Sequence, residues 1–420
     1  MFRLTLLAAT ALAGAAHAQV PAIPRPPEPP AQTAAFRFED VTETHLPDMT
    51  GKHTMDVEAA DLDGDGDLDI VTAQEFLANI VLLNEGGRFR RADLLPALPA
   101  DALEPGPQQL KFAGAGHDSE DVSIADFDGD GRLDIVIVSE DDVKFGRKDV
   151  HEFYRGTANG FVLELGRLPD SEANAVAHGD VDGDGDLDLL IAGAGQDRLL
   201  LNRGNGHFVD AGLSRLGSDN ATAQDAEFAD LDKDGDLDLI LAQEGSHRLM
   251  TNDGRAVFTD NGFHPPSGNV EARKVAPADV DGDGDLDLYF SHVGWQGRSP
   301  NDMLMLNDGA GRFALATDER APREEATTLD ARFADLDGDG DLDMVRSDMG
   351  PISVWLNNGE GVLTDVSSQV FAEAVTGPNL AVEIADFDRD GRLDLYVGQR
   401  SGPAGQGQPA RDRLLLGRAR

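Results

Sequence analysis

The sequence predicts an all-β fold, a seven-bladed β-propeller of four-stranded blades in which an N-terminal strand completes the last blade. Three observations predict it. An acidic segment recurs seven times, with leading aspartates Asp61, Asp126, Asp180, Asp230, Asp279, Asp335 and Asp386 spaced by 65, 54, 50, 49, 56 and 51 residues. A period near 50 marks a solenoid, a propeller or an array. Each copy runs into a short apolar stretch (LDIVTA, LDIVIV, LDLLIA, LDLILA, LDLYFS, LDMVRS, LDLYVG), which reads as a strand buried on both faces. The two ends are also complementary. The seventh unit stops after RLLLG at Arg413, one strand short, while FEDVT from Phe38 matches LTDVS from Leu363 and FVDAG from Phe208. A ring closed with that strand leaves no unpaired edge between first and last blades, and an open solenoid has no use for it.

The elements follow in chain order. Residues 1–18 carry one positive charge, Arg3, then an apolar run and Ala16-His17-Ala18, the pattern of a secretory signal peptide cleaved before Gln19. The run is shorter than the about 20 residues that span a bilayer. Residues 19–35 are proline-rich, hence an extended tether, because proline fixes φ and lacks an amide donor. Residues 36–420 form the propeller. Within each unit a short segment before the acidic loop (DVEAA, DVSIA, DAEFA, DARFA) supplies strand A and the apolar run supplies strand B. A second run such as NIVLLN, RLLLN or DMLMLN supplies strand C. A turn of Asn, Asp and Gly that tolerates positive φ then leads to strand D, which begins near Phe89, Phe161, Phe208, Phe258, Phe313 and Leu363. Four-stranded sheets repeated about an axis make a propeller.

The loop between A and B has the form D-x-D-x-D-G-x-x-D. Positions 1, 3, 5 and 9 are Asp61, Asp63, Asp65 and Asp69; Asp126, Asp128, Asp130 and Asp134; Asp180, Asp182, Asp184 and Asp188; and Asp230, Asp232, Asp234 and Asp238. The last three copies give Asp279, Asp281, Asp283 and Asp287; Asp335, Asp337, Asp339 and Asp343; and Asp386, Asp388, Asp390 and Asp394. Position 7 offers a backbone carbonyl from Asp67, Arg132, Asp186, Asp236, Asp285, Asp341 or Arg392. Four carboxylates, a carbonyl and a water make a hard oxygen cage of six or seven ligands, which suits calcium, whereas magnesium keeps more of its waters. Two unit charges about 4 Å apart repel by about 4 kcal/mol at an effective dielectric near 20, so the bare loop should open. About seven calcium ions are expected. A solvated acidic turn would not keep four aspartates and a glycine in register seven times. An EF-hand is excluded, because the position-12 glutamate is replaced by Thr72, Ile137, Ile191, Leu241, Phe290, Arg346 or Val397 and strands flank the loop.

On these residues the chain resembles the FG-GAP and VCBS repeat proteins, of which the integrin α-subunit propeller is the best known. The resemblance covers Phe36 to Leu416 and implies a seven-bladed propeller with calcium on the face of the A–B loops. No clear Gly-Ala-Pro segment accompanies the phenylalanines and all seven units carry the loop, so integrin ligand recognition does not carry over.

Composition narrows the function. With 78 acidic against 35 basic residues and a formal charge of -43, the chain lacks the basic footprint of a nucleic-acid binder. The absence of cysteine excludes disulfide scaffolds and thiolate metal sites. There is no H-E-x-x-H, G-x-S-x-G or P-loop, and the histidines show no regular mutual spacing. The B–C and D–A connections lie on the face opposite the A–B loops and hold the insertions, residues 94–116, 140–150, 293–300 and 401–410. Five residues before the leading aspartate stand Asp56, Asp121, Asp225, Lys274 and Asp330, an acidic collar at the channel mouth and a candidate ligand site, with Trp295 as a possible sugar platform. The expectation is an exported, periplasmic or surface-secreted, monomeric and non-catalytic propeller that binds a protein or glycan on this face. A polysaccharide lyase or hydrolase on the same scaffold, and a structural module of an envelope assembly, are the alternatives.

Overall fold

The computed structural model describes residues 32–96, 98, 116–140, 143, 147–218, 221–263, 270–294, 301–322, 326–401 and 410–420. The signal peptide, most of the tether, Trp295 and much of the four insertions lie outside the described residues. Seven antiparallel four-stranded sheets form the chain, each ordered A-B-C-D from the axis outward. Blade 1 is Thr54–Ala60, Asp69–Gln74, Ile80–Asn84 and Phe89–Ala92. Blades 2 to 6 span residues 119–163, 172–210, 223–260, 272–315 and 328–365. Strand B is buried along its whole length in most blades, which explains why it reads as a continuous apolar run rather than an alternating one. The A strands of neighbouring blades pack side by side around the axis, and apolar clusters fill the space between successive sheets.

Blade 7 closes the ring as expected. Its strands A to C are Asn379–Ala385, Asp394–Gln399 and Arg413–Ala419, and its outer strand is Phe36–Asp40. The register runs from Phe36 opposite Ala419 to Asp40 opposite Leu415. Phe38 stacks on Phe371 with ring centroids 5.5 Å apart, which fastens the same strand to the connection from blade 6. The packed chain begins earlier than the sequence suggests. Ala34 is buried, and its N–H donates to Gln369 Oε1 at 3.2 Å. The end of the tether is therefore docked, because a small residue there fits against the blade 6–7 cluster.

Deleting residues 36–42 should raise hydrogen exchange at Arg413–Ala419, at the far end of the sequence, well before it does so in blades 3 to 5. Exchange rising around strand A of blade 1 instead would contradict the closure.

Candidate metal loops and axial channel

All seven A–B loops fold alike, and the aspartates divide the work. The position-1 carboxylate accepts the N–H of the position-6 glycine in every loop, from Gly131 to Asp126 at 2.8 Å up to Gly235 to Asp230 at 3.2 Å. Those glycines have φ between 85° and 98°, which a side chain would strain. The position-9 aspartate is buried and uses both oxygens. One accepts the position-2 N–H, as from Leu62 to Asp69 at 2.9 Å and Phe387 to Asp394 at 2.8 Å. The other accepts an N–H at the end of strand C, as from Asn84 to Asp69 at 2.8 Å and Gly417 to Asp394 at 2.7 Å. Burial pushes these carboxyls up, to about 6 for Asp69, Asp134 and Asp238 and about 7 for Asp188, Asp287, Asp343 and Asp394; the N–H bonds oppose the shift and the loop carboxylates add to it.

The loops gather oxygens with little to balance them. Carboxylate oxygens of Asp61, Asp63 and Asp69 lie within 4.8 Å of one another, as do those of Asp126, Asp128 and Asp134, of Asp180, Asp182 and Asp188, of Asp230, Asp232 and Asp234, and of Asp279, Asp281 and Asp287. Two further groups of this kind occur among the described residues. Buried oxygens of Asp182, Asp230, Asp279, Asp281 and Asp337 have no hydrogen-bond donor. Burial, reinforced by neighbouring loop carboxylates, raises the Asp182, Asp232, Asp281 and Asp337 carboxyls. Converging, orphaned, electron-rich oxygens fit a hard cation.

Position 7 behaves differently from the rest. Its aspartate faces the C–D turn of its own blade, where Gly86 N–H donates to Asp67 Oδ2 at 2.9 Å. The Asp236, Asp285 and Asp341 carboxylates lie against Gly254, Gly309 and Gly359, close enough that a Cβ there would clash. Blades 2 and 7 carry Arg132 and Arg392 at this position, and their C strands reach Gly156 and Gly417, tight against the Leu133 and Leu393 carbonyls, where the other blades have asparagine.

That asparagine is a feature the sequence reading missed. Asn84, Asn202, Asn252 and Asn307 end strand C in blades 1, 3, 4 and 5, and Asn357 directly follows it in blade 6. Each Nδ2 donates to the position-8 carbonyl of its own loop, at 3.0 or 3.1 Å. It also donates to the position-2 carbonyl of the preceding blade (Phe387, Phe127, Val181, Leu231 and Val280), at 2.7 to 2.9 Å. The signal was the recurrent Asn after the second apolar run (LLN, LLN, MTN, MLN, WLN), visible but taken only as part of a turn. The latch joins one A–B loop to its neighbour.

The collar residues line the axial channel and tie blades together. Oδ2 of Asp56, Asp121, Asp225 and Asp330 accepts the N–H of Val122, Val176, Val275 and Val382 on the next strand A, at 3.3, 2.8, 2.7 and 2.8 Å. The ring is not an open negative mouth. Lys274 Nζ lies 3.1 Å from Asp225, and Arg332 reaches Glu383 at 3.0 Å, Asp330 at 3.6 Å and Asp56 at 3.7 Å. Only about 50 Å³ remains between these groups, and Val293, Leu329 and Leu380, with Met55 packed on them, cluster beside it. Burial pushes Glu58 up to about 8 and Glu227 and Glu383 to about 7, with Arg332 and Lys274 opposing the shifts. Histidines the sequence left unassigned are packed in the core. His247 Nε2 and His292 Nε2 meet at 3.1 Å, both buried, and burial lowers them to about 3 and about 4.

Three segments, residues 180–241, 230–290 and 335–397, match the FG-GAP-like repeat family, each beginning at a position-1 aspartate. The chain carries FG-GAP-like repeats. No curated protein matches it in sequence. Among solved structures, an Agrocybe aegerita lectin that recognises non-reducing terminal N-acetylglucosamine is 20% identical, with a TM-score of 0.50, over 79% of this chain and 84% of that one. BBS1N, solved in complex with ARL6DN, is 10% identical with a TM-score of 0.56, over 92% and 98%. At such identities the likeness is one of fold. Among the described residues no helix is long and apolar enough to cross a membrane.

Two expectations follow. Asn252→Ala should cost about 1–2 kcal/mol of unfolding free energy, because the Leu237 and Val181 carbonyls lose the amide that joins them, Val181 keeping the Ala256 N–H, and exchange should rise in the loop around Val181 in blade 3. For Glu58 the folded carboxyl titrates above its unfolded value of 4.5, so the penalty of ionising it in the fold grows as pH rises from about 4.5 to about 8. Glu58→Gln should therefore melt higher than the native protein at pH 8 and alike at pH 4.5. A constant difference across that range would contradict the burial argument.

Proposed function

We propose that the protein is an exported, non-catalytic, calcium-binding propeller that takes a protein or glycan ligand on the face opposite the metal loops. The observation that carries the calcium reading is the convergence of carboxylate oxygens in the loops of blades 1 to 5, several with orphaned oxygens, on a motif that recurs seven times. Positions 1, 3, 5 and 9 and the position-7 carbonyl would hold the ion, whose part is to neutralise the loop and fix its ends. Such a cation acts as a staple, because it sits at the opposite end of the strands from the insertions.

The ligand reading is supported by a groove of about 720 Å³ on the insertion face beside blade 6. Met349, which is 51% exposed, Pro351 and Phe371 give it apolar surface, and Asp365, Ser367 and Ser368 give it polar groups. A few polar groups converging on an apolar concavity of this size are the usual form of a small-ligand site. The N-acetylglucosamine-recognising neighbour makes glycans the first class to test.

The mature chain, loaded with calcium, should bind a defined set of glycans on an array or retain a protein partner in a pull-down. Met349→Arg with Ser368→Arg should abolish that binding without lowering the melting temperature. Asp65→Ala should lower stability and leave the binding preference unchanged. Turnover of a polysaccharide would replace the binding reading with the enzymatic one.

A further inference from the structure

The seven loops are not equivalent, and the difference is greatest in blade 7. Loop 1 carries five carboxylates and no cation, whereas loop 7 carries four carboxylates and two arginines, Arg389 and Arg392. Arg389 points away to the neighbouring loop, where its Nε meets Asp67 Oδ1 at 2.8 Å. A third guanidinium turns inward. Arg418 Nη1 lies 2.9 Å from Asp388 Oδ2 and 2.9 Å from Asp390 Oδ2, the position-3 and position-5 carboxylates of the loop. In loops 3 and 2 a basic side chain meets one such carboxylate, as Arg203 meets Asp182 at 3.4 Å and Arg132 meets Asp130, while at loops 1 and 5 Arg389 and Lys233 meet the position-7 carboxylates Asp67 and Asp285.

We infer that Arg418 is a tethered cation that competes with calcium for the blade-7 loop, making this the weakest of the seven sites. The inference rests on the calcium reading of the loops. The one Nη1 amino group bridges both carboxylates, and a guanidinium stays charged at any working pH. Calcium entering this loop must displace it, so the cost of breaking two charge-assisted bonds is subtracted from the binding. Ligand charge sets calcium affinity in oxygen cages over several orders of magnitude, and loop 7 has the smallest net negative charge of the set.

Arg418 also belongs to the closure. It pairs with Arg37 across the strand register, and its Nε lies 3.3 Å from Glu39 Oε2 on the N-terminal strand. At low calcium the side chain joins the loop, strand C and the N-terminal strand of blade 7. At saturating calcium it keeps the strand contact and leaves the loop. The last ion therefore binds where the ring is sealed.

Calorimetric titration of the chelator-stripped protein with calcium alone tests this. The native protein should show one ion binding roughly tenfold or more weakly than the rest. Arg418→Gln should move that ion into the tight class at unchanged total stoichiometry, and Arg418→Lys should keep a weak step. A chain ending at Gly417 should reproduce the Gln result if that variant folds poorly. In the native protein, the side-chain Nε–H resonance of Arg418 should shift only with the last equivalent. Identical titrations for native and Arg418→Gln proteins, or a resonance that moves with the first equivalents, would overturn the inference and leave the calcium reading standing. Uptake of no calcium at any loop would remove both.

Discussion

Each blade depends on a buried aspartate at position 9 whose two oxygens are both committed to backbone N–H groups. One comes from the loop that begins at the leading aspartate, the other from the end of strand C. The carboxylate thus fixes the loop to the sheet and strand C to strand B. An ionised carboxylate in such a place is costly unless its surroundings compensate it. Two N–H bonds do part of that work, and three more carboxylates crowding the same loop undo it. Positive charge inside the loop, such as the proposed calcium would supply, relieves that crowding. The fold and the candidate metal loops therefore share the same aspartates.

The asparagine latch extends this logic around the ring. Where position 7 is aspartate, its side chain receives or abuts the glycine of the C–D turn, and an asparagine ends or directly follows strand C. Where position 7 is Arg132 or Arg392, the C strand carries Gly156 or Gly417 and the latch is missing. The latch therefore serves the joint between blades 7 and 1 and the four joints from blade 2 to blade 6. Arg418 occupies a loop on one side of an unlatched joint. A related substitution appears at loop position 4, where glycine gives way to Lys233 and Arg389 with φ of 61° and 58°. Their strained backbone is offset by ion pairs to Asp285 and Asp67 of the next loop.

The ring, the strand order within blades and the closing strand were legible because they rest on periodicity and on a complementary leftover, FEDVT against LTDVS. Inter-blade contacts were not. Nothing in an asparagine that ends or follows strand C says that its amide will reach a carbonyl some 71 to 77 positions earlier, as Asn252 and Asn357 do. The collar was legible as a row of residues and illegible as a network. Asp56, Asp121, Asp225 and Asp330 stand at one offset in the repeat, but Arg332, two residues further on, crosses the channel to Asp56. The groove beside blade 6 left no sequence signal at all, since it is made by a B–C turn and a one-turn helix, Ser367–Val370, brought together by the fold.

In the proposed reading, cations complete the loops and thereby hold the ring. Elemental analysis of purified protein, paired with melting curves before and after chelation, tests it most directly. Close to seven calcium ions per chain are expected, with a large fall in melting temperature on their removal, because each ion would bind the folded loop and not the unfolded chain. A metal-free protein that melts at the same temperature as the native one would contradict it.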